Sequence, residues 1–106
     1  MKKFVLSLTV LFSLNFMYAQ DIMLPAPRKD GGKPLMEVLS NRRSLREISD
    51  TPLSEQTLSD LLWAAAGVNR PDGRRTAPTA MNMQEIDIYV YTAEAVYLYL
   101  PQEHIL

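Results

Sequence analysis

The sequence predicts an α+β domain in which two short amphipathic helices pack on a partial antiparallel sheet. Between residues 34 and 66, apolar side chains recur at intervals of three and four, which is the spacing of one helix face. Between residues 85 and 100 they alternate, which is the spacing of one strand face. A chain of 106 residues supports one domain at most, so these elements belong to a single fold.

The first predicted helix starts at Pro34, which suits a first helical turn because its missing N–H costs nothing there. Leu35, Val38 and Leu39 lie on one face, and we expect that face to point inward. Arg42 continues the same spacing, so the helix is expected to end at the arginines.

The second predicted helix begins at Ser54, a residue type whose hydroxyl caps the free N–H groups of a helix start. It is expected to end at Gly67, because glycine can adopt the positive φ of a helix C-terminus. Trp63 lies off the apolar stripe and either packs within the monomer or contacts a subunit or cofactor boundary. The stripe itself consists of Leu58, Leu61, Leu62 and Ala65.

Two strands are predicted at residues 85–91 and 96–100, joined by a hairpin turn at residues 92–95. The first strand has one face that we expect to be buried, formed by Ile86, Ile88 and Val90. The second strand repeats the alternation, with Tyr97 and Tyr99 on the face opposite to Val96, Leu98 and Leu100.

Residues 1–20 have the order of a secretory signal peptide, with the cations Lys2 and Lys3, an apolar run, and Ala19 before the expected cleavage site. The alternative is an uncleaved anchor, but the apolar run is shorter than the ~20 residues that span hydrocarbon. We therefore expect export to the periplasm or the extracellular space, with no stable membrane span after cleavage. Residues 21–33 hold two prolines and a glycine pair without apolar periodicity, which predicts a flexible lead-in to a folded part at 34–106.

The mature protein is expected to begin near Gln20 or Asp21, because the cation, apolar run and small residue of a signal peptide precede that point. Mass spectrometry of exported protein measures the N-terminus directly. An intact Met1 on exported material would contradict cleavage.

The charge distribution argues against a nucleic-acid binder. Without Lys2 and Lys3, nine basic residues remain against twelve acidic ones, a net charge of −3, whereas nucleic-acid-binding domains are normally basic. Yet six of the nine cations lie in residues 42–46 and 70–75, which predicts a local anion site. There are no cysteines, which excludes disulfide and thiolate chemistry. The single histidine, His104, is expected to be an exposed tail residue away from any motif.

Two segments carry the candidate chemistry. Residues 42–46 place three guanidinium groups and a hydroxyl within five positions, and the planar donor fork of guanidinium matches phosphate oxygens. A solvated basic turn is the alternative for so short a segment. Residues 76–84 form a polar loop with a proline ahead of the first strand, and such a loop can offer backbone N–H groups and amide side chains to a planar ligand.

These segments resemble the nitroreductase family of FMN-dependent oxidoreductases. The Arg-x-Ser-x-Arg/Lys motif of that family stands here as Arg42, Ser44 and Arg46. Its Pro-Ser-x-x-Asn-x-Gln motif stands here, with threonine for serine, as Pro78, Thr79, Asn82 and Gln84. Between the two motifs, residues 61–70 are similar to the family's helix rich in Leu, Trp and Ala, with its following Gly and Asn.

The resemblance implies a bound FMN that residues of both segments contact. The ribityl phosphate and the adjacent ring edge would be held by Arg42, Ser44 and Arg46, with Arg43 close by. Asn82 would hydrogen-bond the ring or the ribityl chain. The cofactor would be lined, in this family often from the partner subunit, by Pro78, Thr79 and Ala80. A homodimer is therefore implied for the full-length protein, with no metal site and no separate catalytic base.

The resemblance also implies a ping-pong reaction, in which NAD(P)H reduces FMN and a hydride then passes to a nitro compound, a quinone or a related small molecule. Residues 69–82 are similar to the azoline-dehydrogenase-like branch of the family. Family members continue into a C-terminal half with further flavin contacts. The chain is thus expected to be the N-terminal part of a longer domain. The alternatives are an inactive truncated remnant and a half-domain that binds a partner chain without flavin.

Overall fold

The computed structural model describes residues 20–106, so the predicted signal peptide lies outside it except for Gln20. Neither helix of this part has the length and the apolar composition of a membrane-spanning segment. The elements follow the predicted order, two helices and then two strands. They are α1 (Leu35–Asn41), α2 (Glu55–Ala66), a 3-10 turn (Ala80–Asn82), β1 (Tyr89–Tyr91) and β2 (Val96–Leu98).

Helix α1 has the predicted start and end. Pro34 precedes its first turn as the N-cap residue, and the N–H of Arg42 donates to the Leu39 carbonyl oxygen at its end. The expectation that its apolar face points inward is wrong for this chain. Leu35 is 70% exposed, and none of the other helices and strands between residues 20 and 106 packs against α1.

Helix α2 begins as predicted, because the Ser54 hydroxyl accepts a hydrogen bond from the Thr57 backbone N–H at 3.1 Å. Its buried face is rotated from the predicted stripe. Leu61 is 56% exposed, and the buried side chains of the helix are Ser59, Leu62 and Ala66. A serine is therefore one of the three side chains that the helix buries.

Gly67 ends α2, but not for the predicted reason. Its φ is −67°, which any residue can adopt. A Cβ at this position would collide with the Trp63 ring and would lie 2.6 Å from the Trp63 carbonyl oxygen. Glycine is needed because the chain passes too close to Trp63 for a side chain. Trp63 itself is half-buried and donates from Nε1 to the Val68 carbonyl oxygen, which fits packing within the monomer.

Strands β1 and β2 pair antiparallel in the register Tyr89–Leu98, Val90–Tyr97 and Tyr91–Val96. The predicted turn is confirmed, since the Thr92 N–H donates to the Ala95 carbonyl oxygen at 2.9 Å. The strands are shorter than the predicted ones. Ile86, expected to be buried, precedes β1 and is 67% exposed.

A small core lies between α2 and the inner face of the strands. Its buried side chains are Leu62, Ala66, Tyr99 and Leu106. Partly buried apolar residues pack around them, namely Ile22, Leu24, Leu58, Ile88, Val90 and Tyr97. The face of β2 that turns inward is therefore the tyrosine face.

Residues 22–28, which we call the N-terminal strap, make defined contacts where the sequence led us to expect a flexible lead-in. Ile22 and Leu106 exchange two backbone hydrogen bonds of 2.7 and 3.1 Å. Arg28 forms an ion pair of 2.6 Å with Asp60 of α2, and the hydrogen bond from its backbone N–H lowers the pKa of Asp60. The strap thus joins the C-terminal residues to α2.

Candidate functional site

The arginine motif follows α1 in an exposed stretch of chain. Arg42 and Arg43 line a groove of about 410 Å³ together with Lys33, Val38, Asn41 and Leu45. Ser44 and Arg46 continue along the same stretch and are exposed. No ion pair occupies these guanidinium groups within residues 20–106, so their donors are available to an anion.

Residues 70–75 form a turn that leads into the second motif. Val68 and Arg75 form a β-bridge, and the Asn69 N–H donates to the Arg74 carbonyl oxygen at 3.1 Å. Gly73 has φ +82°, a conformation that glycine adopts without strain. The predicted turn is confirmed, and it brings the arginines of 70–75 toward the loop that follows.

The loop of the second motif is held by Gln84. The Gln84 backbone N–H donates to Thr79 Oγ1, and its side-chain Nε2 donates to the Gly73 carbonyl oxygen and to Asn82 Oδ1, all at 3.0 Å. Met81, Asn82 and Gln84 have positive φ, which costs free energy in a non-glycine residue unless surrounding contacts fix it. Gln84 supplies such contacts by joining the loop to the preceding turn.

The loop and the turn together enclose a groove of about 450 Å³. Pro78, Thr79 and Asn82, three residues of the second motif, are in its wall. Ala80 is exposed on the adjoining 3-10 turn. Five more residues line the groove, and the sequence predicted no ligand contact for any of them. They are Arg70, Arg74, Arg75, Ala77 and Met81. The cluster of arginines at residues 70–75 was the sequence signal that these side chains could contact an anion. Nothing in the sequence singled out Met81.

This second groove is positively charged. Arg74 is partly compensated, since its Nε lies 3.4 Å from an Asp72 carboxylate oxygen. Arg75 has no ion-pair partner in the described part of the chain, and its Nε is buried without a hydrogen-bond partner. A half-buried cation without a counterion is costly, so the groove favours an anionic or strongly accepting ligand.

The two motifs are not brought together within this chain. The grooves at Arg42 and at Asn82 share no lining residue. Residues 42–53, which leave the arginine motif, are exposed throughout. Within residues 20–106 the two motifs therefore line two separate grooves.

The residues present fit FMN chemically. Guanidinium forks suit a phosphate, and the second groove offers Thr79, Asn82 and the backbone of a polar loop to a planar polar ring. Residues 20–106 contain no group of three or more histidine, aspartate or glutamate side chains that could hold a metal ion.

Comparisons with known proteins agree with this architecture. A protein of Methanocaldococcus jannaschii that bears the name nitroreductase is 40% identical over 76 residues, which are 66% of this chain and 38% of the relative. The crystal structure of a protein from Ralstonia eutropha JMP134, titled as a nitroreductase, superposes with a TM-score of 0.76 at 46% identity. That match covers 80% of this chain and 41% of the other. The chain thus spans about two fifths of the length of these relatives.

These likenesses confirm the predicted fold class, a nitroreductase-like α+β fold present as a partial domain. The nitroreductase family model matches residues 39–106, which contain both motifs, the C-terminal end of α1, the whole of α2 and the hairpin. Because that match covers more than half of the sequence, the chain belongs to the nitroreductase family.

Proposed function

We propose that this chain is the N-terminal part of an FMN-dependent oxidoreductase that reduces a nitro compound, a quinone or a related small molecule. The observation that carries the proposal is the pair of cation-lined grooves, each built on one of the two motifs typical of the family. Bound flavin would supply the redox chemistry, accepting a hydride from NAD(P)H or, in an exported protein, from another reduced donor, and passing it to the acceptor.

The chain's own residues bind and orient in this proposal. Arg42 and Arg43, with Ser44 and Arg46, would hold the phosphate, since these guanidinium groups have no ion-pair partner within residues 20–106. Pro78, Thr79 and Ala80 would line the flavin. Asn82, whose Oδ1 accepts from Gln84 Nε2, would hydrogen-bond the ring or the ribityl chain. None of these residues moves a proton.

A homodimer of the full-length protein would join the two half-sites. The separation of the two grooves within one chain supports this, because an arginine motif of one subunit could meet the loop of the other. The apolar face of α1 supports it as well, since an exposed amphipathic helix gains stability when another surface covers it.

The cellular setting and the branch are also proposals. A signal peptide at residues 1–20 would place the protein outside the cytoplasm, where a donor other than NAD(P)H would be needed. The sequence from Asn69 to Asn82 supports the azoline-dehydrogenase-like branch by its similarity, and the branch leaves the substrate open.

The test is flavin content in two forms of the protein. The longest form that the gene encodes is expected to purify as a yellow dimer that oxidises a reduced donor. Residues 21–106 alone are expected to self-associate, with little flavin, because they hold two separate half-sites and an exposed sheet edge. Gel filtration with absorbance read at the flavin band measures both.

Either form can contradict the proposal. A discrete yellow dimer of residues 21–106 with one FMN per chain would show that no further half is needed. A colourless longest form, or a gene that encodes nothing beyond Leu106, would favour an inactive remnant or a half-domain that binds a partner chain.

A further inference from the structure

The second groove adjoins a smaller space of about 130 Å³, which we call the apolar cavity. The two spaces share four lining residues, Arg75, Ala77, Pro78 and Thr79. The rest of the cavity lining is mostly aliphatic and comes from α2 and from the chain that leads into β1, namely Ala65, Ala66, Gln84, Ile86 and Ile88. An apolar cavity of about 150 Å³ is large enough to bind benzene, so this cavity has nearly the size of one six-membered ring.

Arg75 lies where the groove and the apolar cavity meet. It is half-buried and has no ion-pair partner among residues 20–106. Its Nε is the only guanidinium nitrogen of Arg75 that is both buried and without a hydrogen-bond partner, so a ligand would reach this cation through its Nη atoms. Because water solvates a half-buried cation poorly, an anion placed beside it is attracted more strongly than at an exposed arginine.

The nearby phenol of Tyr99 does not neutralise Arg75. The Ser59 hydroxyl donates to the Pro25 carbonyl oxygen, so it accepts from His104 Nε2. His104 Nδ1 then accepts from the Tyr99 O–H at 2.8 Å, and His104 is half-buried, not the exposed tail residue that its position suggests. Burial raises the pKa of Tyr99, and the charge of Arg75 opposes that shift. Tyr99 is therefore a neutral neighbour that leaves the charge of Arg75 uncompensated.

The rest of the turn adds positive charge to the groove. Arg70 and Arg74 are exposed and line it together with Arg75. Asp72 is the only acidic residue in the sequence between residues 69 and 84, and its carboxylate lies beside Arg74. The turn and the loop thus have three cations against one anion, and Arg75 is the cation that borders the apolar cavity.

We propose that the place where the groove meets the apolar cavity is a binding site for a small amphipathic carboxylate. Its carboxylate pairs with Arg75, and its apolar body, of the size of one ring, occupies the apolar cavity. A carboxylate suits this place because its two oxygens match the donors of one guanidinium group. A neutral molecule would leave the cation unpaired, and an anion without an apolar body would leave the cavity unfilled.

The site also suggests what the ligand does, a step that rests on the proposed function. Pro78 and Thr79 line both the groove and the apolar cavity, and they are residues that would line the flavin. A carboxylate held at Arg75 would therefore lie beside the cofactor. The acceptor of the reaction would then be a nitro compound or a quinone that carries a carboxylate.

The test is calorimetric titration of the longest form of the protein that the gene encodes, with three probes at one ionic strength. Sodium benzoate has both features of the expected ligand, benzamide has the ring without the charge, and sodium acetate has the charge without the ring. Benzoate should bind at least about tenfold more tightly than either of the others, since a hydrogen bond to a charged group changes affinity by about ten- to a hundredfold.

Two variants test the two ends of the site separately. Arg75→Gln removes the charge and should weaken benzoate binding by about tenfold or more while benzamide binding stays the same. Ala65→Leu should weaken both ring-bearing probes, because Ala65 is exposed on α2 and lines the apolar cavity, which a larger side chain would fill. Ala64→Leu is the matched control, since Ala64 is equally exposed on the same helix and does not line that cavity.

Three results would overturn the inference. They are equal affinities for benzoate and benzamide, benzoate binding that Arg75→Gln leaves unchanged, and release of flavin by benzoate, which would show that the site belongs to the cofactor. Absorbance at the flavin band in the same samples keeps the proposed function apart from this inference. A colourless protein that binds benzoate through Arg75 would support the site and contradict only the proposed function.

Discussion

Replacing Tyr99 with alanine is expected to lower the free energy of unfolding by about 3–5 kcal/mol, the range for removing a large aromatic side chain from a core. Tyr99 is 2% exposed and packs in the core with Leu62 and Leu106. The substitution also removes the donor to His104 Nδ1. Because small domains have only about 5–15 kcal/mol of stability in total, this loss is a large share of the stability of the domain.

Tyr91→Ala is the matched control, since Tyr91 belongs to the same hairpin and is 78% exposed on its outer face. A surface substitution of this kind usually changes stability by less than about 0.5 kcal/mol. Circular dichroism during urea denaturation measures both variants. Equal losses for the two tyrosines would mean that the inner and outer faces of the hairpin have been assigned the wrong way round.

The tyrosines also show what sequence pattern can decide. Alternation in residues 96–100 gives two faces, but periodicity does not say which one is inward when aliphatic side chains form one face and aromatic side chains the other. The turn at 92–95 decides it. That turn opposes Val90 to Tyr97, and opposed residues share a face. The inward position of Val90 therefore requires that of Tyr97 and Tyr99.

Local rules predicted the element order and most of the element ends. Ser54 caps α2 and residues 92–95 turn the hairpin because each contact lies within a few positions of the chain. Gly67 ends α2 as predicted, but for a different reason. Glycine is needed there because the packed Trp63 ring leaves no room for a side chain. The prediction that the apolar face of α1 points inward was wrong for this chain. Amphipathic spacing predicts that a face is covered, but it does not say which chain covers it.

Contacts between residues far apart in the chain could not be predicted from the sequence pattern. His104 and Ser59 are 45 positions apart, so nothing near either residue indicates their hydrogen bond. The meeting of Arg75 with the loop at Pro78–Asn82 depends on Gln84, whose side chain joins the loop to Gly73. The two motifs could be located from the resemblance, but not their separation into two grooves.

Replacing Arg42 with alanine is expected to weaken FMN binding by about ten- to a hundredfold in the longest form of the protein, because a hydrogen bond to a charged group contributes about 1.5–3 kcal/mol. Arg42 lines its groove beside Arg43 and has no ion-pair partner in the described part of the chain. Its full charge is therefore available to a phosphate.

Arg74→Ala is the matched control, since it removes an arginine from the other groove without touching the first motif. Arg74 is more than half exposed and already lies near Asp72, so its loss should weaken FMN binding much less. Titration followed by flavin fluorescence gives both affinities. Equal losses would mean that the assignment of the phosphate to the groove of Arg42 is wrong. A loss confined to Arg74→Ala would leave the arginine motif at 42–46 as the solvated basic turn that was its alternative.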